Sequence, residues 1–220
     1  MSSSEDVNNG SGKKDYFDAR FVCESFEKCM EDVSGISLDS YLKGYMELYR
    51  FFGFLGSVFS FVASDVISKI NILESYQKSE RGGHYKTIQS MIDYESANDL
   101  LRDKTRPSGA RTLLRLHRAL EFIASFIGNL VVLHDDDVTS TAAQESYNKT
   151  LSKFHPWLIQ KGALLAMYTL PTKQQLLKKV TGNHPSQDAC ILMKQLGEVA
   201  LEVHKVTQRL YEENDILDLP

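Results

Sequence analysis

At 220 residues with 42% hydrophobic content, the chain has room for one domain with a sizeable core, or for a domain and a tail. Its formal net charge of −4 argues against the basic footprint of a general nucleic-acid binder, although a local basic patch stays open. The three cysteines, Cys23, Cys29 and Cys190, are odd in number and irregular in spacing. They fit reduced thiols in the cytosol and exclude both a disulfide framework and a zinc-ligand pattern.

Residues 1–15, MSSSEDVNNGSGKKD, are polar and read as a disordered N-terminal tail without the apolar segment of a secretory signal. Residues 16–220 read as one domain with a helical period throughout. Phe17 to Glu31 fits a first helix with Phe17, Phe21, Val22, Phe26 and Met30 on its apolar stripe. Asp39 to about Glu74 reads as a long helical segment, with Gly53 and Gly56 marking a kink or a close helix contact. Ser64, Asp65, Ser68 and Lys69 interrupt its apolar run, so no transmembrane helix is expected and any membrane contact is peripheral. His84 to Asp103 is a third helix after the breaker Gly82-Gly83. A fourth runs from Ala110 to about Leu130, following Pro107-Ser108-Gly109. The Asp135-Asp136-Asp137 run is a loop placed to cap a helix from Thr139 to Leu151. His155-Pro156 begins the next helix, with proline in the first turn, and Pro171 ends it. A short helix over Lys173 to Val180 stops at Gly182, and a last one spans Asp188 to Asn214 before the ending DILDLP. The fold class is therefore all-α, with about eight helices.

The chemistry lies in a few charges set against apolar surface. Asp65 and Lys69 are spaced i,i+4 with the acid first, the favourable order for a surface ion pair. At about 100° per residue, Ser57, Ser60, Ser64 and Ser68 form one stripe, and the pair falls beyond it beside Val58, Phe61 and Val62. Charges there are costly unless a polar group satisfies them, and a bound headgroup would. Arg111, Arg115 and Arg118 share a second helix face, with Glu121 as the nearby carboxylate. Either the face is solvated or it meets an anion. Arginine forks match phosphate oxygens, and a phosphomonoester carries roughly −1.5 to −2 charge. Arg118 points slightly away and fits a structural role. His155 could cap a helix or serve a ligand. Trp157 could pack in the core or sit at a membrane boundary, which indole favours. No nucleophile–base pair, phosphate-binding glycine loop, HEXXH motif or metal-ligand spacing is present, so neither an enzyme nor a metal or other cofactor is expected. Cations, one carboxylate and one imidazole beside so much apolar surface suit a molecule with an anionic head and a long apolar body, which means lipid handling.

From about Phe17 to Pro220 the chain resembles the glycolipid transfer protein superfamily, and within it the ceramide-1-phosphate transfer proteins. The segments that carry the likeness are FSFVASDVISKI, HYKTIQSMI, ARTLLRLHRALEFI, SYNKTLSKFHPWLIQKGALLAMYTLPTK and LYEENDILDLP. The resemblance implies a two-layer all-helical sandwich enclosing a lipid. It implies that Asp65 accepts from the ceramide amide N–H and that His155 donates to the amide carbonyl, matching the one donor and one acceptor an amide offers. It assigns Lys69, Arg111 and Arg115 to the phosphate. Arg115 stands where glycolipid-binding members place a tryptophan under the sugar, so a phosphate clamp replaces a sugar platform. Arg106, or its rival Arg102, takes the role of a further phosphate-contacting arginine in the loop RDKTRPSGA, which is shorter than the family pattern. Trp157 matches the tryptophan of the HxW motif near the headgroup and the membrane.

The function implied is non-enzymatic transfer of ceramide 1-phosphate between membranes by a monomer that docks peripherally and transiently. The cytosol, Golgi, endosome and plasma membrane are its expected settings. The expected sleeve for the chains is built from Phe51 to Phe61, Leu113 to Ile127 and Leu158 to Leu170, with the first helix as a movable wall. Rival readings are a neutral glycosphingolipid carrier or sensor, and a helical interaction module whose arginine face binds an acidic partner.

Overall fold

Several helices in this protein begin where a short polar side chain takes up free amides of the first turn, whereas those starting at Ser60, Thr139 and Trp157 have no such side-chain cap. The computed structural model describes residues 16–182 and 186–220, so the expected tail over residues 1–15 lies outside the described residues. The described helices are α1 (Ala19–Cys29), α2 (Leu38–Leu55), α3 (Ser60–Gln77), α4 (Ile88–Ala97), α5 (Gly109–Val132), α6 (Thr139–Lys149), α7 (Trp157–Met167), α8 (Lys173–Thr181) and α9 (Ser186–Glu213). Asp18 accepts from the Phe21 amide at the start of α1, and Ser108 does the same for Arg111 at the start of α5. Thr87 with Ser90 and Thr172 with Gln175 form reciprocal capping boxes at α4 and α8. Among the described residues the isolated extended pairings are Ser37 with Thr87 and Val138 with Thr172, which tie helix starts together in twos.

Four expectations need correction. The segment from Asp39 to Glu74 is two helices, not one. Gly56 at φ +111° stands in a conformation that side-chain-bearing residues avoid, and a short turn at Ser57–Phe59 follows it. The third helix is shorter than the apolar pattern suggested, because the Thr87 box starts it late and Asp99, at φ +57°, lies just beyond its end. The aspartate run does not cap α6. Asp137 instead accepts from the His134 amide, and the Asp135 and Asp137 carbonyls receive the Gln174 and Lys173 amides at the start of α8. Finally, Phe21 is 41% exposed while Phe17, Val22 and Phe26 are buried, so the α1 stripe is narrower than expected.

The helix α5 organises the rest. At 24 residues it spans about 36 Å. It packs on α9, α6, α3 and α4, while α1 lies against α2 and α9 and α8 against α9 and α2. Together they make a two-layer helical sandwich. Close approach is needed between α1 and α2, where a Cβ on Gly44 would come within 2.5 Å of the Phe26 ring. Both ends of α5 are met by buried charge of the complementary sign. At its N-terminus Glu95, only 1% exposed, accepts from the Gly109 amide at 2.7 Å, the Ala110 amide at 3.0 Å, Ser108 Oγ at 2.6 Å and the Tyr85 hydroxyl at 3.0 Å. At its C-terminus the buried Lys173 ammonium donates to the carbonyls of Val131 (3.1 Å) and Leu133 (2.7 Å). Midway, the Tyr45 hydroxyl from α2 donates to the Leu116 carbonyl, and Tyr211 from α9 donates to that of Ala110. These anchors set the rotation of α5 and thus the face its arginines present.

Candidate functional site

A cavity of about 570 Å³ lies among α2, α3, α5, α6 and α7. Its walls are mostly apolar, with Phe51, Phe59, Phe122, Phe126, Ile159 and Met167 among them. The aliphatic and aromatic stretches expected from the three long segments do supply these walls. The first helix does not: α1 packs on α2 and α9 and gives no residue to the lining. Polar groups enter the cavity from Asp65 and Lys69 on α3, Arg115 and Arg118 on α5, Tyr147 on α6, and His155 just before α7.

The i,i+4 spacing on α3 produces the ion pair it predicts. Lys69 Nζ lies 2.5 Å from Asp65 Oδ1, with the lysine buried to 8% exposure and the aspartate side chain largely open. A buried ammonium needs a partner, and Asp65 provides one without closing off its own second oxygen. The four serines of the neighbouring stripe are exposed, so the pair sits at the border between solvent and the apolar wall.

His155 Nδ1 lies 2.8 Å from the Tyr147 hydroxyl. Burial pulls the imidazole pKa down, Asp65 partly opposes that, and Lys69 adds to it. The ring is therefore neutral at physiological pH. Its backbone is pinned as well: the His155 amide donates to the Ser152 carbonyl, and Gln160 Nε2 donates to the His155 carbonyl at 2.9 Å.

On α5, Arg115 is exposed, and its Nη2 reaches the Pro220 main-chain oxygen at 3.4 Å. Arg118 donates to the carbonyls of Leu217 (2.8 Å) and Leu219 (3.2 Å) and lies over the Phe154 ring at 4.1 Å. Burial, and then repulsion from Arg115, lowers its guanidinium pKa. These contacts give Arg118 the structural role its angle suggested, while also putting it in the cavity wall. The Glu121 charge acts on His204, partly opposing the fall in its pKa that burial causes.

The remaining expected residues lie outside the lining. Arg111 is one turn, about 6 Å, back along α5 from Arg115, and its Nη2 donates to the Arg106 carbonyl at 3.3 Å. Arg106 Nε is 3.7 Å from Asp103. Arg102 is tied elsewhere, with Nη2 within 2.8 Å of both Asp218 oxygens on the surface. Trp157 is 69% exposed at the start of α7, with Lys161 Nζ 6.0 Å from its ring, so the core-packing alternative does not hold. Leu158, Leu165 and Tyr168 are exposed on the same helix and its continuation. Sequence reasoning missed Tyr147 and Pro220 as part of the site; Tyr147 lines the cavity in helical register with Ala143 and Leu151, a spacing that could have marked it, whereas Pro220 belongs to no periodic pattern.

The family model described as glycolipid transfer protein matches residues 36–182. This chain belongs to the glycolipid transfer protein family. A ceramide-1-phosphate transfer protein from Danio rerio is 38% identical over 210 residues, covering 94% of this chain and 99% of that one. The lipid-free crystal structure of mouse ceramide-1-phosphate transfer protein superposes with a TM-score of 0.86 at 35% identity, covering 93% of this chain and all of the other. The human ceramide-1-phosphate transfer protein bound to 12:0 ceramide 1-phosphate gives 0.84 at 34% identity, with coverage of 93% and 100%. Among the described residues no helix is long and apolar enough to cross a membrane, and no cluster of potential metal ligands occurs.

Proposed function

We propose that this chain carries ceramide 1-phosphate between membranes and releases it chemically unchanged. The observation that carries this reading is the pairing of an apolar cavity with Lys69, Arg115, Asp65 and His155 along its wall. The likeness to ceramide-1-phosphate transfer proteins over nearly the whole chain supports it.

Lifting a lipid from a bilayer exposes its chains unless a comparable apolar surface receives them. At roughly 0.8 kcal/mol per methylene, a sixteen-carbon chain would cost about 13 kcal/mol in water. The phenylalanine-rich walls offset that cost. The polar groups then choose the head. Lys69 and Arg115 neutralise the phosphate, with Arg111 joining from the next turn and Arg106 from the preceding loop. Asp65 accepts from the amide N–H, and His155 donates to the amide carbonyl. Phosphatidic acid offers the phosphate but no N–H, and a neutral sugar offers nothing to Arg115 that a flat aromatic ring would not hold better. Trp157 meets the membrane surface during peripheral, transient docking. The carrier acts as a monomer that cycles through the cytosol among Golgi, endosomal and plasma membranes.

The test is transfer of fluorescent ceramide 1-phosphate and fluorescent galactosylceramide between vesicles. Wild type should move the phosphate lipid, and Arg115→Leu should lose that activity. Efficient movement of the galactosylceramide with no movement of the phosphate lipid would overturn the proposal.

A further inference from the structure

We infer that Tyr147 is a positioning residue that sets which ring nitrogen of His155 faces the lipid. The inference rests on the reading of His155 as the donor to the amide carbonyl, and it supplies what that reading requires: a proton on the correct nitrogen. A neutral imidazole carries one N–H, and only that nitrogen can donate.

The assignment follows from counting partners. Tyr147 is 1% exposed, and its hydroxyl has the His155 Nδ1 atom, 2.8 Å away, as its hydrogen-bond partner among the described residues. If Nδ1 carried the proton and donated to the tyrosine oxygen, the phenolic hydrogen would be left without an acceptor in a buried place. Leaving a buried donor unmade costs more than a typical hydrogen bond contributes. The arrangement that satisfies both groups has the Tyr147 O–H donating to Nδ1. The ring proton then sits on Nε2, the nitrogen left for a ligand in the cavity. The burial and charges already described keep the ring neutral, so it does not become a donor at both nitrogens. Tyr147 is itself held by edge-on packing against Phe122, with ring centroids 6.2 Å apart at 87°. The Ser152–Phe154 turn and Gln160 fix the backbone of the histidine from the other side.

The same hydroxyl has a second consequence. Were Nε2 unprotonated, it would be an acceptor placed beside the acceptor carbonyl of the lipid amide, and the two would repel. Tyr147 therefore acts on selectivity through His155, without a role in the apolar sleeve that phenylalanine could not fill.

The experiment starts with the wild-type protein. Long-range ¹H–¹⁵N correlation spectra near neutral pH report the tautomer of His155 directly. The expected result is a neutral ring protonated at Nε2; an Nδ1-protonated ring, or an imidazolium, overturns the inference. Tyr147→Phe keeps the ring packing and removes the hydroxyl. It should shift His155 toward a tautomer mixture and slow ceramide 1-phosphate transfer roughly two- to tenfold, the range one hydrogen bond spans, with the melting temperature held. His155→Ala should slow transfer at least as much, and the double variant should be no slower than His155→Ala alone. If His155→Ala transfers normally, the donor role of His155 fails and the inference falls with it. If His155→Ala is slow while Tyr147→Phe keeps both the wild-type tautomer and the wild-type rate, the inference alone is overturned.

Discussion

Replacing Glu95 with glutamine tests whether α5 is held in register by the buried carboxylate at its start. Glu95 is 1% exposed and accepts four hydrogen bonds, two of them from the first-turn amides of Gly109 and Ala110. Bonds to a charged acceptor contribute about 1 kcal/mol more than bonds to a neutral one. Glutamine keeps the shape but loses the charge, and its amide nitrogen turns a donor toward groups that also donate. Ser108 can reverse its hydroxyl to compensate; the two backbone amides cannot. The net cost is about 3 kcal/mol, a large share of a typical domain stability of roughly 5–15 kcal/mol. For a chain of this size that corresponds to a drop in melting temperature of about 6–12 °C. Urea titration followed by circular dichroism measures it, with an unchanged denaturant slope showing that the native and unfolded ensembles keep their compactness. A loss below about 1 kcal/mol would refute the idea that this carboxylate anchors the helix carrying Arg111, Arg115 and Arg118.

Two other expectations follow from the same physical reasoning. Burial, and next the facing His204, push the His117 pKa down to about 3, whereas an unfolded histidine titrates near 6.5. Below that value the unfolded chain binds the extra proton and the folded one does not, so the stability contribution is complete above about pH 6.5 and declines as pH falls. Unfolding free energies from urea titrations at pH 7 and pH 5 should differ by about 2 kcal/mol from this residue alone. His117→Gln should remove that share of the difference, and an unchanged pH slope in the variant would count against it. At Trp157, exposure on α7 predicts that Trp157→Ala changes stability by no more than about 0.5 kcal/mol while weakening sedimentation with vesicles and slowing lipid transfer. A large fall in melting temperature would return the indole to the core.

Much of the architecture was legible because helices obey local rules. The apolar period and its breakers, such as Pro107-Ser108-Gly109 before α5 and Gly182 after α8, placed most helices, and the Asp65–Lys69 pair needs only one turn of α3. The resemblance to the glycolipid transfer protein superfamily added the lipid and its headgroup before any geometry was available. Where local rules misled, a second influence had won. Gly56 interrupts an otherwise continuous apolar period by its backbone alone. Asp137 folds back on His134 where it could have capped α6. Phe21 falls on the apolar stripe of α1 by count, yet it stays 41% exposed while Phe17, Val22 and Phe26 are buried.

The sequence by itself determined the helical period, the charged pair on α3 and the row of arginines on α5, because each depends on residues a few positions apart. Only the tertiary structure decided which of these meet. It sets Lys69 and Arg115 on one cavity wall while leaving Arg111 a turn away. It brings Tyr147 to His155, Glu95 to the start of α5 and residues 217–220 to Arg115 and Arg118. Those contacts join segments that no short-range pattern links, and their geometry is set by how whole helices pack, which depends on the summed shape of many side chains.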